Sequence, residues 1–144
     1  MFGPEWTIRP ARLSDAAAVA VLLAELGAGA VDAAEARRRL ARGHEQVHVA
    51  ERDGEVGGLV ATTVAHSIGH ELPVLRVTAL VTSAASRRSG AARRLMATAM
   101  DRAVAHRCSG VELTCGLARA DAHHFYGSLG YAATSTRYWL EAPA

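Results

Sequence analysis

LVTSAASRRSGAARRLM, residues 80–96, links two different hydrophobic patterns through a loop of small and basic residues. Upstream, the aliphatic and β-branched residues of Val74–Val81 predict a buried strand. Downstream, apolar residues recur at helical spacing over Ala92–Val104 and predict an amphipathic helix. The loop Ser83–Gly90 therefore leads directly into a helix N-terminus.

This junction has the features of an anion site. The first turn of a helix presents backbone N–H groups without intrahelical partners, and the helix dipole adds partial positive charge. Gly90 and Ala92 are small enough for a ligand to approach the main chain, while Arg87 and Arg88 add charge that suits phosphate. An ordinary capped helix with solvated arginines has the same local features, so the residues alone leave both interpretations open.

The loop also carries a motif. Arg87-x-x-Gly90-x-Ala92, directly after a strand and directly before a helix, resembles the acetyl-CoA signature of the GNAT superfamily of N-acetyltransferases, Gln/Arg-x-x-Gly-x-Gly/Ala. The resemblance implies acetyl-CoA as cosubstrate, with its pyrophosphate held by the loop. The residues that would take this role are Arg87, Arg88, Ser89, Gly90, Ala91 and Ala92.

In the resembled family, the strand before the loop binds the pantetheine arm as if the arm were an added strand. Here that role falls on Leu80, Val81 and Thr82. A backbone N–H of Val81 or Thr82 would stabilise the negative charge that develops on the thioester oxygen. Two departures from the family pattern are Arg88 and Ala92, where many relatives have Gly, and they imply a stiffer loop or a cofactor held less tightly.

A second motif, AHHFYGSLGY at residues 122–131, resembles the terminal signature of the same family, Ala-x-x-Phe-Tyr-x-x-x-Gly-Phe/Tyr. The Tyr of that signature is commonly the general acid, which implies this role for Tyr126. A phenol with a pKa of about 10 is able to protonate a departing thiolate whose thiol has a pKa of about 8.5. The alternative is a core tyrosine at helical spacing.

The general base is harder to identify. An alkylamine is mostly protonated at neutral pH and must lose a proton before it attacks. Many relatives place a Glu on the strand at the position that Arg76 occupies here. Glu71 and His70, on the loop before the strand, are the nearby candidates, with water relaying the proton, although acids and histidines on loops are usually just solvated.

Composition limits the other function classes. The 144 residues carry a formal net charge of +2, too small to favour nucleic-acid binding, and half of them are apolar. No apolar run reaches the roughly 20 residues that a membrane span needs. The N-terminus lacks the pattern of a secretory signal, so we expect a cytoplasmic protein.

Cysteines and histidines suggest little further chemistry. Cys108 and Cys115 are expected to be reduced thiols, and a nucleophilic Cys115 is the alternative. His66 and His70 have helical spacing on a segment that Gly69 makes unsuitable for a helix. The adjacent pair His123–His124 would point about 100° apart on a helix. We therefore expect no metal site, while a histidine of that pair near the acyl group stays open.

The N-terminal part predicts a strand and a helix. Thr7–Ala11 is expected at a sheet edge, because Pro10 lacks a backbone donor. The helix that follows has Ser14 or Asp15 as its candidate cap, and Gly27 ends it.

The next segments predict a helix and a hairpin. The helix begins at Asp32 and stops at Gly43. Asp53-Gly54 marks the turn of a β-hairpin over residues 46–64, and Gly57-Gly58 in its second arm suggests a bulge or a close backbone contact. The resembled family shapes its acceptor pocket from its first two helices, and here the second carries arginines that are either solvated or attractive to an acidic acceptor: Arg37, Arg38, Arg39 and Arg42.

The C-terminal part predicts three further elements. Val111–Cys115 would be a strand parallel to the strand before the loop, because a long helix connects the two. Residues 118–131 predict a helix with Asp121 as cap and Gly130 as stop. Thr134–Glu141 predicts a final strand.

Together these elements predict one domain over residues 1–144 with an α+β fold. The resemblance implies a three-layer GNAT-like architecture, in which about four helices flank a mixed, mostly antiparallel sheet of six to seven strands, with a parallel pair at the cofactor site. The implied activity is transfer of an acetyl group to a primary amine of a small molecule or peptide. The alternative is a catalytically silent acyl-CoA-binding or sensory module, and homodimers are frequent in the resembled family.

Overall fold

A computed structural model describes residues 5–144. The chain forms two compact units, one up to Glu112 and one from Leu113 to Ala144, and each is described by itself. The single domain stays a prediction. The first unit contains β1 (Thr7–Pro10), α1 (Ala16–Leu26), α2 (Ala33–Arg42), β2 (Gln46–Arg52), β3 (Glu55–Ala65), β4 (Val74–Thr82), α3 (Ala91–Ala105) and β5 (Val111–Glu112).

These elements build a mixed α+β fold. The five strands lie in the order β1-β2-β3-β4-β5, so β1 is at the edge, as Pro10 predicts. The first four are antiparallel neighbours, and β4 and β5 are parallel. The mostly antiparallel sheet with one parallel pair is confirmed, whereas the expected count of six to seven strands is wrong.

One predicted strand is absent, which accounts for the lower count, and another is shorter than expected. The strand expected over Val111–Cys115 ends at Glu112. The second unit contains α4 (Ala120–Ser128), and residues 131–144 form neither helix nor strand, so the strand expected over Thr134–Glu141 is wrong. A strand needs a hydrogen-bonded neighbour, and the unit from Leu113 to Ala144 contains no other strand with which it would pair.

The predicted hairpin joins β2 to β3. Asp53 and Gly54 both have positive φ, 54° and 76°, as a two-residue type I′ turn requires. The register shifts between Ala50 and Glu51, which leaves Gly57 as the extra residue of a β-bulge. A Cβ on Gly57 would lie 2.5 Å from the Trp6 ring, so the predicted bulge and the predicted close contact are both present.

The helix ends agree with the sequence in part. Asp32 caps α2 by accepting a hydrogen bond from the Glu35 amide at 2.8 Å, and Gly43 and Gly27 follow their helices with left-handed φ angles. Asp15, one of the two predicted caps, holds the N-cap position of α1, although its side chain forms no capping bond with that helix. The cap predictions at Ser14 and Asp121 are wrong. A short 3₁₀ turn at Leu13–Asp15 precedes α1, no side chain caps that helix, and α4 starts after Arg119.

Helices cover both faces of the sheet in the first unit. One face packs against α1 and α2 through a buried cluster that includes Val19, Leu22, Ala36, Val49, Leu59 and Val81. Because successive strand residues point to opposite faces, Val60 and Thr62 face the other way. There Arg102 of α3 donates from Nε to Thr62 Oγ1 at 3.2 Å. The two helical layers and the sheet between them form the α+β arrangement that the sequence predicts.

Asp15 is a buried carboxylate with charged partners. Its two oxygens accept from the Arg9 guanidinium at 2.8 and 2.9 Å, and one also accepts from the Arg12 amide at 2.7 Å. Arg9 Nε donates to Glu51 at 2.5 Å, so this network ties β1 to β2 and to the start of α1. The hydrogen bonds from Arg9 hold the pKa of Asp15 below its ordinary value.

We expect Asp15→Asn to lower the free energy of unfolding by about 2 kcal/mol at neutral pH, because charged hydrogen bonds are lost. Since the folded pKa is depressed, the Asp15 contribution is present above the unfolded pKa of about 3.9 and is lost as pH falls below it. Urea unfolding at pH 7 and pH 3 measures this difference. Glu112→Gln removes only an exposed pair with Arg76 and should cost less than about 1 kcal/mol; equal stabilities of the two variants at pH 7 would contradict the assignment.

Candidate active site

Strand β4 has one fully paired edge and one that is largely open. It pairs with β3 along its whole length, but with β5 only at Leu75 and Arg76. The Leu75 amide donates to the Gly110 carbonyl at 2.9 Å, where this short contact begins. Within residues 5–112, Val77–Thr82 have no strand partner on that edge. An extended ligand therefore has a run of backbone groups with which to pair.

The register identifies which groups are available. The Ser83 amide donates to the Gly57 carbonyl at 2.9 Å, so Ser83 faces β3. Backbone groups alternate along a strand, and Val81, opposite Leu59, therefore also faces β3. The N–H and C=O groups of Leu80 and Thr82 point to the open edge. Of the three residues predicted to bind the pantetheine arm, these two present their main chain and Val81 does not.

The loop after β4 is held by hydrogen bonds among its serines. Ser83 and Ser86 hydroxyls lie 2.8 Å apart, and Ser86 is buried. Ser89 donates from its hydroxyl to the Ser86 carbonyl and accepts from Trp6 Nε1 at 3.0 Å. Because Trp6 also packs against Gly57 in the bulge, the loop is fixed to the sheet at one point. The site thus has a preorganised backbone.

The amides at the start of α3 are free of protein acceptors. The first intrahelical bond at this end runs from the Arg94 amide to the Gly90 carbonyl at 3.1 Å. No acceptor among residues 5–144 pairs with the amides of residues 88–93. Gly90 has a φ of 88° and Arg88 a φ of 58°, so the chain turns sharply just before the helix. An anion site at a helix N-terminus needs backbone amides of this kind.

The two arginines of the loop, Arg87 and Arg88, differ in whether a carboxylate pairs with them. Arg87 pairs with Glu25 of α1 at 3.1 Å, so part of its charge is already compensated. Arg88 is exposed, and no carboxylate in the described chain forms an ion pair with it. At the start of α3, Gly90 and Arg93 are exposed, Ser89 and Ala92 are half-buried, and Ala91 is buried.

In the second unit, Tyr126 lies on α4 among other aromatic rings. Its ring centroid is 5.3 Å from that of Phe125 and 6.0 Å from that of Tyr131, both in edge-on geometry. Burial raises the pKa of Tyr126 above its ordinary value, and the nearby Cys115 adds to the increase. A phenol in this environment stays protonated at neutral pH, as a proton donor must.

The two predicted histidines of α4 differ in their contacts. His123 Nε2 lies 2.9 Å from the Gly116 carbonyl, so this ring is occupied by a local hydrogen bond. His124 is exposed and has no hydrogen-bond partner in the described residues. Neither observation assigns an acyl-site role to a histidine.

The candidate bases from the sequence lie away from the open edge of β4. Glu71 and His70 are exposed on the loop before Val74, and at about 3.3 Å per residue the strand separates them from Leu80 by roughly 20 Å. Arg76, which the resemblance places at the position of the family's usual Glu, pairs with Glu112 at 3.3 Å. The role of Glu71 as general base therefore remains a prediction, and no contact links this residue to the proposed acyl site.

A cavity of about 310 Å³ lies between the helices α1 and α2 and the strands β2, β3 and β4. Its sheet side reaches Ala79, the residue before Leu80. The carboxylate of Glu45 lines this cavity and accepts a hydrogen bond from Thr78 Oγ1. Sequence reasoning missed Glu45, because a lone polar residue before a strand gives no signal of the strand against which it packs.

Other chemistry finds less support. Among residues 5–144 no cluster of three or more metal-ligating side chains occurs, and Cys108 and Cys115 are both free thiols. No helix in the described part of the chain has the length and apolar character needed to cross a membrane.

Comparison with known proteins assigns the chain to a family. The model of the acetyltransferase (GNAT) family matches residues 18–131, and no curated protein matches. Solved structures with the same fold include a transcriptional regulator from Bacillus halodurans C-125, with a TM-score of 0.86 and 23% identity over 95% of this chain and 99% of that one.

Two further structures carry acetyltransferase names. A ribosomal-protein-alanine N-acetyltransferase from Brucella melitensis biovar Abortus 2308 has a TM-score of 0.83 and 22% identity, over 96% of this chain and 99% of that one. The aminoglycoside N-acetyltransferase AAC(6')-Iy, in complex with CoA, has a TM-score of 0.84 and 15% identity, over 99% of this chain and 98% of that one. With a family model that spans most of its length, the chain belongs to the GNAT acetyltransferases.

Proposed function

We propose that the protein is an acetyl-CoA-dependent N-acetyltransferase that acts by direct attack of a primary amine in a ternary complex. The proposal rests on a row of available backbone groups that runs without interruption along the chain. The open edge of β4 at Leu80 and Thr82 leads through the serine-fixed loop to the free amides of residues 88–93. Membership of the GNAT family supports the same assignment.

These residues fit a cosubstrate with an amide-containing arm and a diphosphate. Leu80 and Thr82 would pair with the arm through their outward N–H and C=O groups, as strands do with each other. The amides of residues 88–93 and the Arg88 guanidinium would bind the diphosphate. Bound acetyl-CoA supplies an activated thioester, and an open-edge N–H of Leu80 or Thr82 would stabilise charge that develops on its oxygen.

Tyr126 is the proposed general acid. Its phenol would donate a proton to the departing sulfur, since burial keeps the hydroxyl protonated at neutral pH. The acceptor is an amine of a small molecule or peptide, in line with the aminoglycoside and ribosomal-protein-alanine named for two structural neighbours. A cytoplasmic location and a homodimer remain parts of this proposal.

One observation favours a second candidate function. In the resembled family, many members carry a catalytic Glu at the position of Arg76. Here the guanidinium of Arg76 pairs with Glu112, and that position offers no catalytic carboxylate. A protein of this fold that binds acyl-CoA without turnover would serve as a sensory module.

Release of free thiol from acetyl-CoA distinguishes the two functions. We expect release to depend on an added primary amine and to rise as more of that amine is deprotonated. Acetyl-CoA binding without thiol release for any amine in a broad panel would favour the silent module. Absence of acetyl-CoA binding would contradict both.

A further inference from the structure

The cavity beside β4 is defined by an apolar lining and a few charges. Its apolar surface comes from α1, α2 and the sheet: Val19, Leu23, Ala36, Leu40, Val47, Leu59, Ala61 and Ala79. Four charged residues share the lining, Glu35, Arg39, Arg42 and Glu45, so their formal charges cancel. Small-molecule sites commonly enclose about 300–1,000 Å³. A cavity of about 310 Å³ therefore suits a small occupant.

The two carboxylates are not equivalent. Glu35 accepts from Arg39 Nε at 3.0 Å and pairs with Arg38 at 2.7 Å, so its charge is shared by two cations of its own helix. Glu45 pairs with no arginine among residues 5–144. The partner found for its carboxylate in the described chain is the Thr78 hydroxyl. Glu45 is therefore the carboxylate in this cavity that is available to a cation.

Thr78 holds that carboxylate against β4. The register of β3 and β4 shifts between Ala61 and Thr62, which makes Thr78 the extra residue of a bulge. Its hydroxyl oxygen also lies 3.2 Å from the Ala61 carbonyl oxygen of β3. Bulges re-aim side chains next to active sites. Thr78 lies two residues before Leu80, where the backbone faces the proposed thioester.

We propose that Glu45 binds the ammonium group of the acceptor and takes its proton, and that the acceptor is a small monoamine with an apolar body. The inference rests on the proposed N-acetyltransferase function. The apolar lining suits a hydrocarbon group. A polycation such as a polyamine or an aminoglycoside would bring several charges to a cavity whose own charges cancel and whose second carboxylate is already paired.

The reaction balances with these groups. The acceptor ammonium gives one proton to the Glu45 carboxylate, which passes it to solvent. The neutral nitrogen then forms a bond to the acetyl carbon as the carbon–sulfur bond breaks. The sulfur leaves with a proton from Tyr126, and the second proton lost by the nitrogen restores the phenol through solvent.

Calorimetric titration with L-leucinamide, a monoamine with an aliphatic side chain, tests binding without turnover. We expect Glu45→Gln to weaken leucinamide binding by about 10- to 100-fold, since a charged hydrogen bond is lost. Glu55→Gln is the matched control, because Glu55 is an exposed carboxylate at the hairpin end and outside the cavity lining. Spermidine should bind the unmodified chain more weakly than leucinamide.

Thiol release with leucinamide supplies the second readout. Glu45→Gln should lower kcat/KM by about 100-fold and move the pH profile upward toward the pKa of the free amine, because base catalysis is lost. Equal behaviour of Glu45→Gln and Glu55→Gln, no leucinamide binding at millimolar concentration, or a preference for spermidine would overturn the proposal. Loss of acetyl-CoA binding with intact leucinamide binding would instead contradict the proposed function.

Discussion

Replacing Tyr126 with Phe is expected to lower kcat by about 100-fold, the usual contribution of a positioned general acid, while acetyl-CoA affinity stays unchanged. The substitution removes one oxygen atom and keeps the ring that packs edge-on against Phe125 and Tyr131. Folding should therefore be retained. Steady-state kinetics and calorimetry on the same preparations separate the two effects.

The pH dependence gives Tyr126 a further test. Burial raises the pKa of this phenol above its ordinary value, so the donor stays protonated past pH 10 and kcat should not fall with rising pH below that point. Tyr131→Phe is the control, because burial also raises the pKa of Tyr131 and its ring is a neighbour of Tyr126. If the two variants turn over at the same rate, Tyr126 is not the acid.

Ala92→Asp is expected to weaken acetyl-CoA binding strongly without harming the fold. Ala92 is the second residue of α3, where the amides have no protein acceptor. At an effective dielectric constant near 20, a carboxylate a few ångströms from a bound diphosphate would weaken binding by about 100-fold or more. The same carboxylate suits a helix N-terminus and should stabilise it by about 0.3–1 kcal/mol.

Ala92→Asp is expected to weaken acetyl-CoA binding and to raise the free energy of unfolding, so a general loss of structure would not produce the same result. Ala92→Asn adds nearly the same bulk as Asp but no charge, so it should bind acetyl-CoA more tightly than the Asp variant does. Thermal unfolding and calorimetry of both variants provide the comparison. An Asp variant that binds acetyl-CoA as tightly as the Asn variant would show that the diphosphate lies elsewhere.

Local sequence signals were sufficient for the elements around the site. The β-branched run predicts β4, the helical spacing predicts α3, and Asp53-Gly54 predicts the turn between β2 and β3. Each of these signals lies within one element or one turn, where backbone preference and periodicity decide the structure. The GNAT resemblance rests on a motif in the loop before α3 and on a second motif at residues 122–131, and it is confirmed by the family match.

Contacts between distant segments could not be predicted in the same way. Glu45 reaches Thr78, 33 positions later, because α2 and β2 bring it beside β4. Asp15 looks like a helix cap in sequence, yet its carboxylate is occupied by Arg9 across the end of β1. Such pairings depend on which strands are neighbours and on their register, and neither is encoded in the local pattern.

The central claim is that a diphosphate binds the backbone amides at the start of α3. The most direct test is to follow the backbone amide resonances of the ¹⁵N-labelled protein during titration with acetyl-CoA. We predict that the largest shifts fall on Arg88, Gly90 and Ala92, with further shifts at Leu80 and Thr82. Saturable acetyl-CoA binding that leaves the resonances of residues 88–93 unmoved would contradict the account.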